Sequence, residues 1–245
     1  MCSCYKAVIL AAGRGSRLGV RTENCPKALV QVSGKSLLDR ALESLSSAGI
    51  SEVIIVAGYL SEQLAPYTPI LIENKEWESA GIFTSALAAD AWLSEGDTII
   101  CYSDIFYSSE VVRSLCGSPY DIAIAYDPNA VDLWRQRFED PLSDIENFQY
   151  DRSTSTLLAV GGRVSSLSDV EGQFMGLLKV TSHGWEQLRA AAASLPDFVR
   201  RDLDFTTLLS IMLENGHTIG VVQNTKAWGE VDHEADLLIY EKMNL

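Results

Sequence analysis

The stretch Val8-Ile-Leu-Ala-Ala-Gly-Arg-Gly-Ser-Arg-Leu-Gly19, followed closely by Cys25-Pro-Lys-Ala-Leu29, decides how this chain is read. It opens as a continuous apolar run, the kind buried on both faces of a parallel sheet. The run feeds straight into a Gly-rich loop. Gly13 and Gly15 carry no side chains that would keep backbone N–H groups from facing a bound anion. Arg14, Arg17 and Lys27 add the positive charge that a polyphosphate requires. This is the layout of a nucleoside-triphosphate site. Two common versions of such a site fail on spacing. The dinucleotide fingerprint Gly-x-Gly-x-x-Gly needs its third glycine one residue before Gly19. Gly34-Lys35-Ser36 ends like a Walker loop, which would need glycine where Leu29 stands.

The remaining pattern resembles a family of nucleotidyltransferases that make activated sugars and activated phosphoalcohols. Its opening reads L-A-A-G-x-G-x-R-(L/M), then P-K-x-L. Leu10-Ala11-Ala12-Gly13-Arg14-Gly15-Ser16-Arg17-Leu18 and Pro26-Lys27-Ala28-Leu29 match it at every fixed position. The resemblance implies that residues 10–16 cradle the nucleotide, with Arg17 and Lys27 as catalytic cations. Lys27 is expected to stand exposed on its loop.

Composition fits that chemistry. The formal net charge is −14 and the pI about 4.6. Such a chain repels nucleic acid and anionic membranes. An acidic protein that binds an anion must gather its cations locally, and Arg14, Arg17, Arg21 and Lys27 lie in one short segment out of 19 basic residues. No apolar run approaches the ~20 residues of a membrane span. No basic segment and apolar core of a signal peptide precede the first strand. The five cysteines (Cys2, Cys4, Cys25, Cys101, Cys116) are scattered, which fits a reducing cytoplasm. Cys2-x-Cys4 has metal-ligand spacing but no histidine partners.

Along the chain, strand and helix patterns alternate. Strands are expected at 6–10, 52–57, 70–73, 98–102 and 121–126, and helices at 36–49, 79–93 and 111–115. Ser36 and Asp39 form a capping pair, and Gly49 supplies the stop. Strands separated by helices predict an α/β fold with a doubly wound, mostly parallel, Rossmann-like sheet. Residues 127–172 break the pattern. Short antiparallel strands at 148–150, 157–160 and 162–164 predict a small insertion, on the acceptor side, within one domain spanning 1–245. A strand at 172–181, helices at 184–194 and 203–215, a strand at 218–223 and a final helix from His233 follow.

Nucleotidyl transfer needs a divalent metal, and Mg²⁺ takes hard oxygen ligands. Asp104 follows the strand at 98–102, at the sheet edge where such folds bind ligands; a turn or helix cap is its other reading. Asp232 stands before the last helix and would make a good N-cap. The resemblance gives it a metal role instead. Family members handling phosphocholine and 2-aminoethylphosphonate carry W-x-E-(I/V)-D-x-x-x-D-L, and Trp228-Gly229-Glu230-Val231-Asp232-His233-Glu234-Ala235-Asp236-Leu237 fits throughout. Glu230 and Asp232 flank Val231, so an extended chain points both carboxylates one way. Two carboxylates side by side are costly without a cation between them.

Other assignments rest on the resemblance. Asn74 and residues 81–87 sit where the family contacts base and ribose, with Ser85 as the base contact. The strand at 172–181 resembles the acceptor strand, with Gly176 allowing close approach, and Lys179 and Trp228 joining it in acceptor binding. The resemblance implies a Mg²⁺-dependent cytidylyltransferase. It would transfer CMP from CTP to a small phosphomonoester or phosphonate and release pyrophosphate. A sugar-1-phosphate enzyme using UTP, dTTP or GTP and an inactive nucleotide-binding regulator stay open. So does assembly into a homodimer. A metal-dependent glycosyltransferase would want Asp-x-Asp, where this chain has Tyr102. The segment 132–144 departs from the phosphocholine enzymes and leaves the acceptor open.

Overall fold

The computed structural model describes residues 5–243; the Cys2-x-Cys4 spacing lies outside them. Strands are β1 (Lys6–Ala11), β2 (Gln31–Val32), β3 (Lys35–Ser36), β4 (Val53–Ala57), β5 (Leu71–Glu73), β6 (Thr98–Tyr102), β7 (Ile105–Phe106), β8 (Ile122–Asp127), β9 (Glu146–Asp151), β10 (Thr156–Arg163), β11 (Gln173–Val180), β12 (Gly220–Gln223) and β13 (Gly229–Glu230). Helices are α1 (Leu37–Ala48), α2 (Ile82–Ala88), α3 (Asp90–Ser94), α4 (Ser109–Cys116), α5 (Ala130–Arg137), α6 (Ser182–Ala193), α7 (Asp197–Arg201), α8 (Phe205–Glu214) and α9 (Glu234–Tyr240).

Nine strands form one sheet in the order β5-β4-β1-β6-β11-β8-β12-β10-β9. β5, β4, β1 and β6 are parallel. β11 runs antiparallel between β6 and β8, and β12 returns parallel to β8. The sheet is thus mixed but mostly parallel. The antiparallel β11 was not legible from helix–strand alternation, because a buried strand has the same apolar pattern in either direction.

β1 shows why the sheet is covered on both sides. Ala7, Ile9 and Ala11 enter one apolar core with α1, α4 and α9, while Val8 and Leu10 enter the other with α2, α6 and α8. Helix α1 begins and ends as its sequence predicts. The Ser36 side chain accepts from Asp39 N, and Gly49 closes the helix at φ 96°.

Two segments differ from expectation. The predicted helix over 79–93 is split at Ala89 into α2 and α3. The Asp90 carboxylate accepts from Trp185 Nε1 at 2.8 Å and from Arg189, so α6 re-aims the second piece. The three short strands expected in 127–172 are two. β10 runs on through Gly161 and Gly162, pairs with β9 across two register shifts, and contacts β12. Both therefore extend the main sheet, and helix α5 precedes them. No helix among the described residues is long and apolar enough to cross a membrane.

Candidate active site

The carboxyl ends of β1 and β6 meet beside β13. Residues after β1 turn into a 3-10 segment, Ser16–Thr22. Gly15 stands at φ 70°, and a Cβ there would lie 2.8 Å from the Lys27 side chain. That glycine lets the lysine stem pass against the loop. Gly13 keeps an ordinary backbone and faces open space. Lys27 is buried rather than exposed as expected, at 8% of its accessible surface. Its Nζ donates to Asp104 Oδ2 at 2.7 Å and to Asp232 Oδ1 at 2.9 Å. Arg17, still largely exposed, donates to the same Asp232 oxygen at 2.6 Å.

β13 is held in place by pairing with β7, Glu230 opposite Ile105, and by Val231 N donating to Asp104 O at 2.8 Å. Val231 points into the core at 0% exposure, which turns its neighbours Glu230 and Asp232 to the site. Ligand oxygens of Asp104, Glu230 and Asp232 all lie within 4.8 Å of one another. Asp104 Oδ1 is buried with no hydrogen-bond partner. A buried orphan oxygen in a set of hard oxygen donors fits a divalent cation.

Electrostatics follow from this crowding. Burial alone would discharge Lys27, but Asp104, Asp232 and Glu230 outweigh it and hold the ammonium above its ordinary value. Burial also works against the Asp232 charge; Lys27, Arg17 and Arg137 overcome it and hold this carboxyl below its usual range. Glu230 goes the other way. Burial, then the charges of Asp232 and Asp104, push it up to about 8 against the opposing pull of Arg137 and Lys27.

Two cavities flank the cluster. One, of about 260 Å³, is lined by Leu10, Ala12, Gly13, Gly15, Lys27 and Ser85, among others. In it Ser85 Oγ accepts from Asn74 Nδ2 at 3.0 Å. The other, of about 340 Å³, is walled by Gln173 and Gly176 of β11, Glu146 of β9, Asp144, Asp204 and the Glu230–Asp232 pair. Arg17 and Ile82 line both.

Comparison with known proteins gives this geometry a family. The MobA-like NTP transferase domain matches residues 7–193. The chain belongs to that family. It is 30% identical over 247 residues to a CTP:phosphoglutamine cytidylyltransferase of Campylobacter jejuni, covering 94% of this chain and 97% of the relative. A choline-phosphate cytidylyltransferase of Streptococcus pneumoniae is 57% identical over 122 residues, 47% of this chain and 53% of that one. The fold is that of an inositol-1-phosphate CTP transferase from T. maritima, with TM-score 0.77, 19% identity, and 98% and 95% of the two chains covered. The protein is a nucleotidyltransferase.

The first loop and the carboxylate cluster converge, bringing Arg17, Lys27, Asp104, Glu230 and Asp232 together. Leu10, Ala12, Gly13, Gly15 and Ser85 line the same region. Ala11 lies in the core behind it. Arg14 turns its guanidinium over the Tyr59 ring, 5.5 Å away, and Ser16 is exposed at the loop's outer turn. Two residues expected on the acceptor side are not brought there. Lys179 donates to Ser118 O at 2.9 Å and Tyr120 O at 2.8 Å, near the strand end opposite the site. Strand β11 runs antiparallel, so its late residues point away from the carboxyl ends of β6 and β8. Trp228 is buried at 4% exposure, with Nε1 donating to Asp127 Oδ2 at 2.6 Å. Gly176 does line the second cavity. At φ 71° it makes room for Tyr102, whose ring a Cβ would meet at 2.7 Å.

Nor does Asp232 cap α9. His233 is the N-cap, and the Asp236 carboxylate, one turn in, reaches back and accepts from Asp232 N at 2.7 Å and His233 N at 2.8 Å. The sequence reading missed Arg137, whose side chain is 0% exposed and bonded to Asp236, Glu230 and Asp232. Its only sequence signal was its place in the 132–144 segment that departs from the phosphocholine enzymes. It also missed Asp204 and Glu146, which nothing but the folded chain brings together.

Proposed function

We propose that the protein transfers a cytidylyl group from CTP to a small phosphomonoester or phosphonate that also carries an ammonium group. The observation that carries this reading is the second cavity. It joins the triphosphate loop at Arg17 and Asp232, yet its far wall presents Asp144, Glu146 and Asp204. Burial, then the charges of Asp204 and Asp144, raise Glu146 to about 7, so the wall favours a cationic group. An acceptor with a phosphate at one end and an amine at the other meets Arg17 and Lys27 with the first and these acids with the second. The choline-phosphate relative acts on a molecule of that kind. The nucleotide assignment is supported by the cytidylyl chemistry named for the relatives.

The attacking group is an oxygen anion of the acceptor, so no base is needed to make it. None of His183, His217 or His233 lines either cavity. The oxygen forms a bond to the α-phosphorus, the bond to the β-phosphate bridge breaks, and pyrophosphate leaves with the electron pair. Lys27 lines the first cavity and its Nζ reaches Asp232, which lines the second, so it serves the α-phosphate and the incoming oxygen. Arg17 and the 13–17 backbone serve the β- and γ-phosphates. Asp104, Asp232 and Glu230 would hold Mg²⁺, which neutralises triphosphate charge when bound. Lys27 and Arg17 bond these same carboxylates, which places their cationic ends beside the phosphates that the cluster would hold. The whole chain acts as one catalytic unit, in the cytoplasm.

Pyrophosphate release tests this directly. CTP, UTP, dTTP and GTP are each paired with phosphocholine, 2-aminoethylphosphonate and glucose 1-phosphate in Mg²⁺. The expected result is release with CTP and an amine-bearing acceptor. Release with glucose 1-phosphate alone would replace the acceptor reading with the sugar-1-phosphate one, and no release with any pair would overturn it.

A further inference from the structure

The guanidinium of Arg137 lies at the end of α5, its side chain wholly buried between the Trp134 and Phe138 rings and the carboxylates of Glu230, Asp232 and Asp236. It spends its donors on three acids. Nε donates to Asp236 Oδ1 at 2.9 Å, and Nη2 reaches Asp236 Oδ2 and Asp232 Oδ2, each at 3.3 Å. Nη1 donates to Glu230 Oε2 at 3.2 Å. The planar group lies 4.8 Å from the Trp134 ring centre and 5.2 Å from that of Phe138, which fix its plane.

The division of oxygens on Asp232 is informative. Oδ2 belongs to Arg137, and Oδ1 faces Lys27, Arg17 and the Asp104 side. Glu230 is likewise tied by Oε2. A buried ion pair with Asp236 alone would secure α5 to α9. The additional bonds to Glu230 and Asp232 do nothing for that docking, but they set which oxygens of the two carboxylates face the cluster.

We propose that Arg137 is a positioning residue for divalent-cation binding, holding one oxygen each of Asp232 and Glu230 from behind so that their other oxygens turn toward Asp104. The proposal rests on the reading that these three carboxylates hold the metal. A lysine in its place keeps the charge but cannot span three acids with fixed geometry.

The test is Mn²⁺ titration of the nucleotide-free protein, followed by the loss of the free-ion electron paramagnetic resonance signal, which yields site number and Kd separately. Partners that orient metal ligands from behind are typically worth roughly 10–100-fold in affinity. Arg137→Lys should therefore raise the Kd by about tenfold or more at an undiminished number of sites. Asp236→Asn is the control. Its amide oxygen still accepts from Asp232 N and His233 N, while its NH2 loses the Arg137 pairing. Docking weakens and the melting temperature falls, but Arg137 stays on Glu230 and Asp232, so the Kd should stay well under the roughly tenfold rise expected of Arg137→Lys. Where Arg137→Lys fails to fold, Arg137→Gln is titrated in its place with the same expectation. An unchanged Kd with fewer sites would make Arg137 a structural residue only and overturn the proposal. So would an equal rise in Kd for Asp236→Asn. Absence of Mn²⁺ binding in the wild type would remove the metal reading itself, a separate failure.

Discussion

At the scale of single residues, Lys27 carries the most. Its motif was plain in the sequence, but its environment was not. A loop lysine ordinarily stands in water, whereas this one is buried between two carboxylates. Lys27→Met should cut turnover by roughly 10²–10³, about 2.7–4 kcal/mol, comparable to losing one oxyanion donor. It should also lower the melting temperature, because it leaves buried carboxylates uncompensated. Steady-state kinetics and thermal melting check both; a folded variant with near-normal turnover would show that Lys27 has no catalytic part. The residues that sequence reading misplaced share a physical reason. Lys179 and Trp228 satisfy their polar atoms on carbonyl oxygens and on Asp127 that lie far away in sequence. Arg137 is the reverse case, a charge that the sequence reading passed over and that is buried because Glu230, Asp232 and Asp236 surround it.

At the scale of elements, the start of α8 serves two ends at once. Asp204 caps the helix, accepting from Thr207 N at 2.7 Å, and also lines the acceptor-side cavity. Serine caps about as well as aspartate. Asp204→Ser should therefore leave stability within about 0.5 kcal/mol, as for a benign substitution. It should still raise KM for an amine-bearing acceptor several-fold, with little change in KM for CTP. An unchanged acceptor KM would reduce Asp204 to a cap. Elements whose ends are marked locally were legible in the sequence: α1 between Ser36 and Gly49, and β1 running into its glycine loop. The break at Ala89 was not, because a tertiary partner, Trp185 with Arg189 on Asp90, imposes it. The cap of α9 was open in the sequence as the other reading of Asp232; the N-cap is the next residue, His233, with the Asp236 carboxylate reaching back to its N–H.

For the whole molecule, the charge of −14 left the gathering of cations at one loop as the main clue to function. The doubly wound sheet followed from alternation alone, but the acceptor-side wall needed chain reversal at β11 and the edge strands β9 and β10, which no local pattern announces. With the acceptor's ammonium group against that wall, as proposed, the reaction becomes pH-sensitive. Glu146, raised to about 7, is neutral below that pH and charged above it. Binding of a cationic acceptor therefore strengthens as pH rises through about 7, and Glu146→Gln should flatten this rise. The sign for folding is opposite: the native state holds this proton where the unfolded carboxyl has already lost it, so stability falls as pH climbs from the ordinary carboxylate range to about 7. Acceptor kcat/KM against pH for both proteins checks it, and identical profiles would contradict it. The central claim is that the carboxylates facing Lys27 form a metal-dependent nucleotidyl-transfer centre. Its most direct test is pyrophosphate release from CTP against Mg²⁺ and Mn²⁺ concentration for the wild type, Asp104→Asn and Asp232→Asn. The account predicts a collapse of turnover in both variants, partly restored at high metal and better by Mn²⁺, which such sites generally bind more tightly. Wild-type turnover and metal dependence in either variant would contradict it.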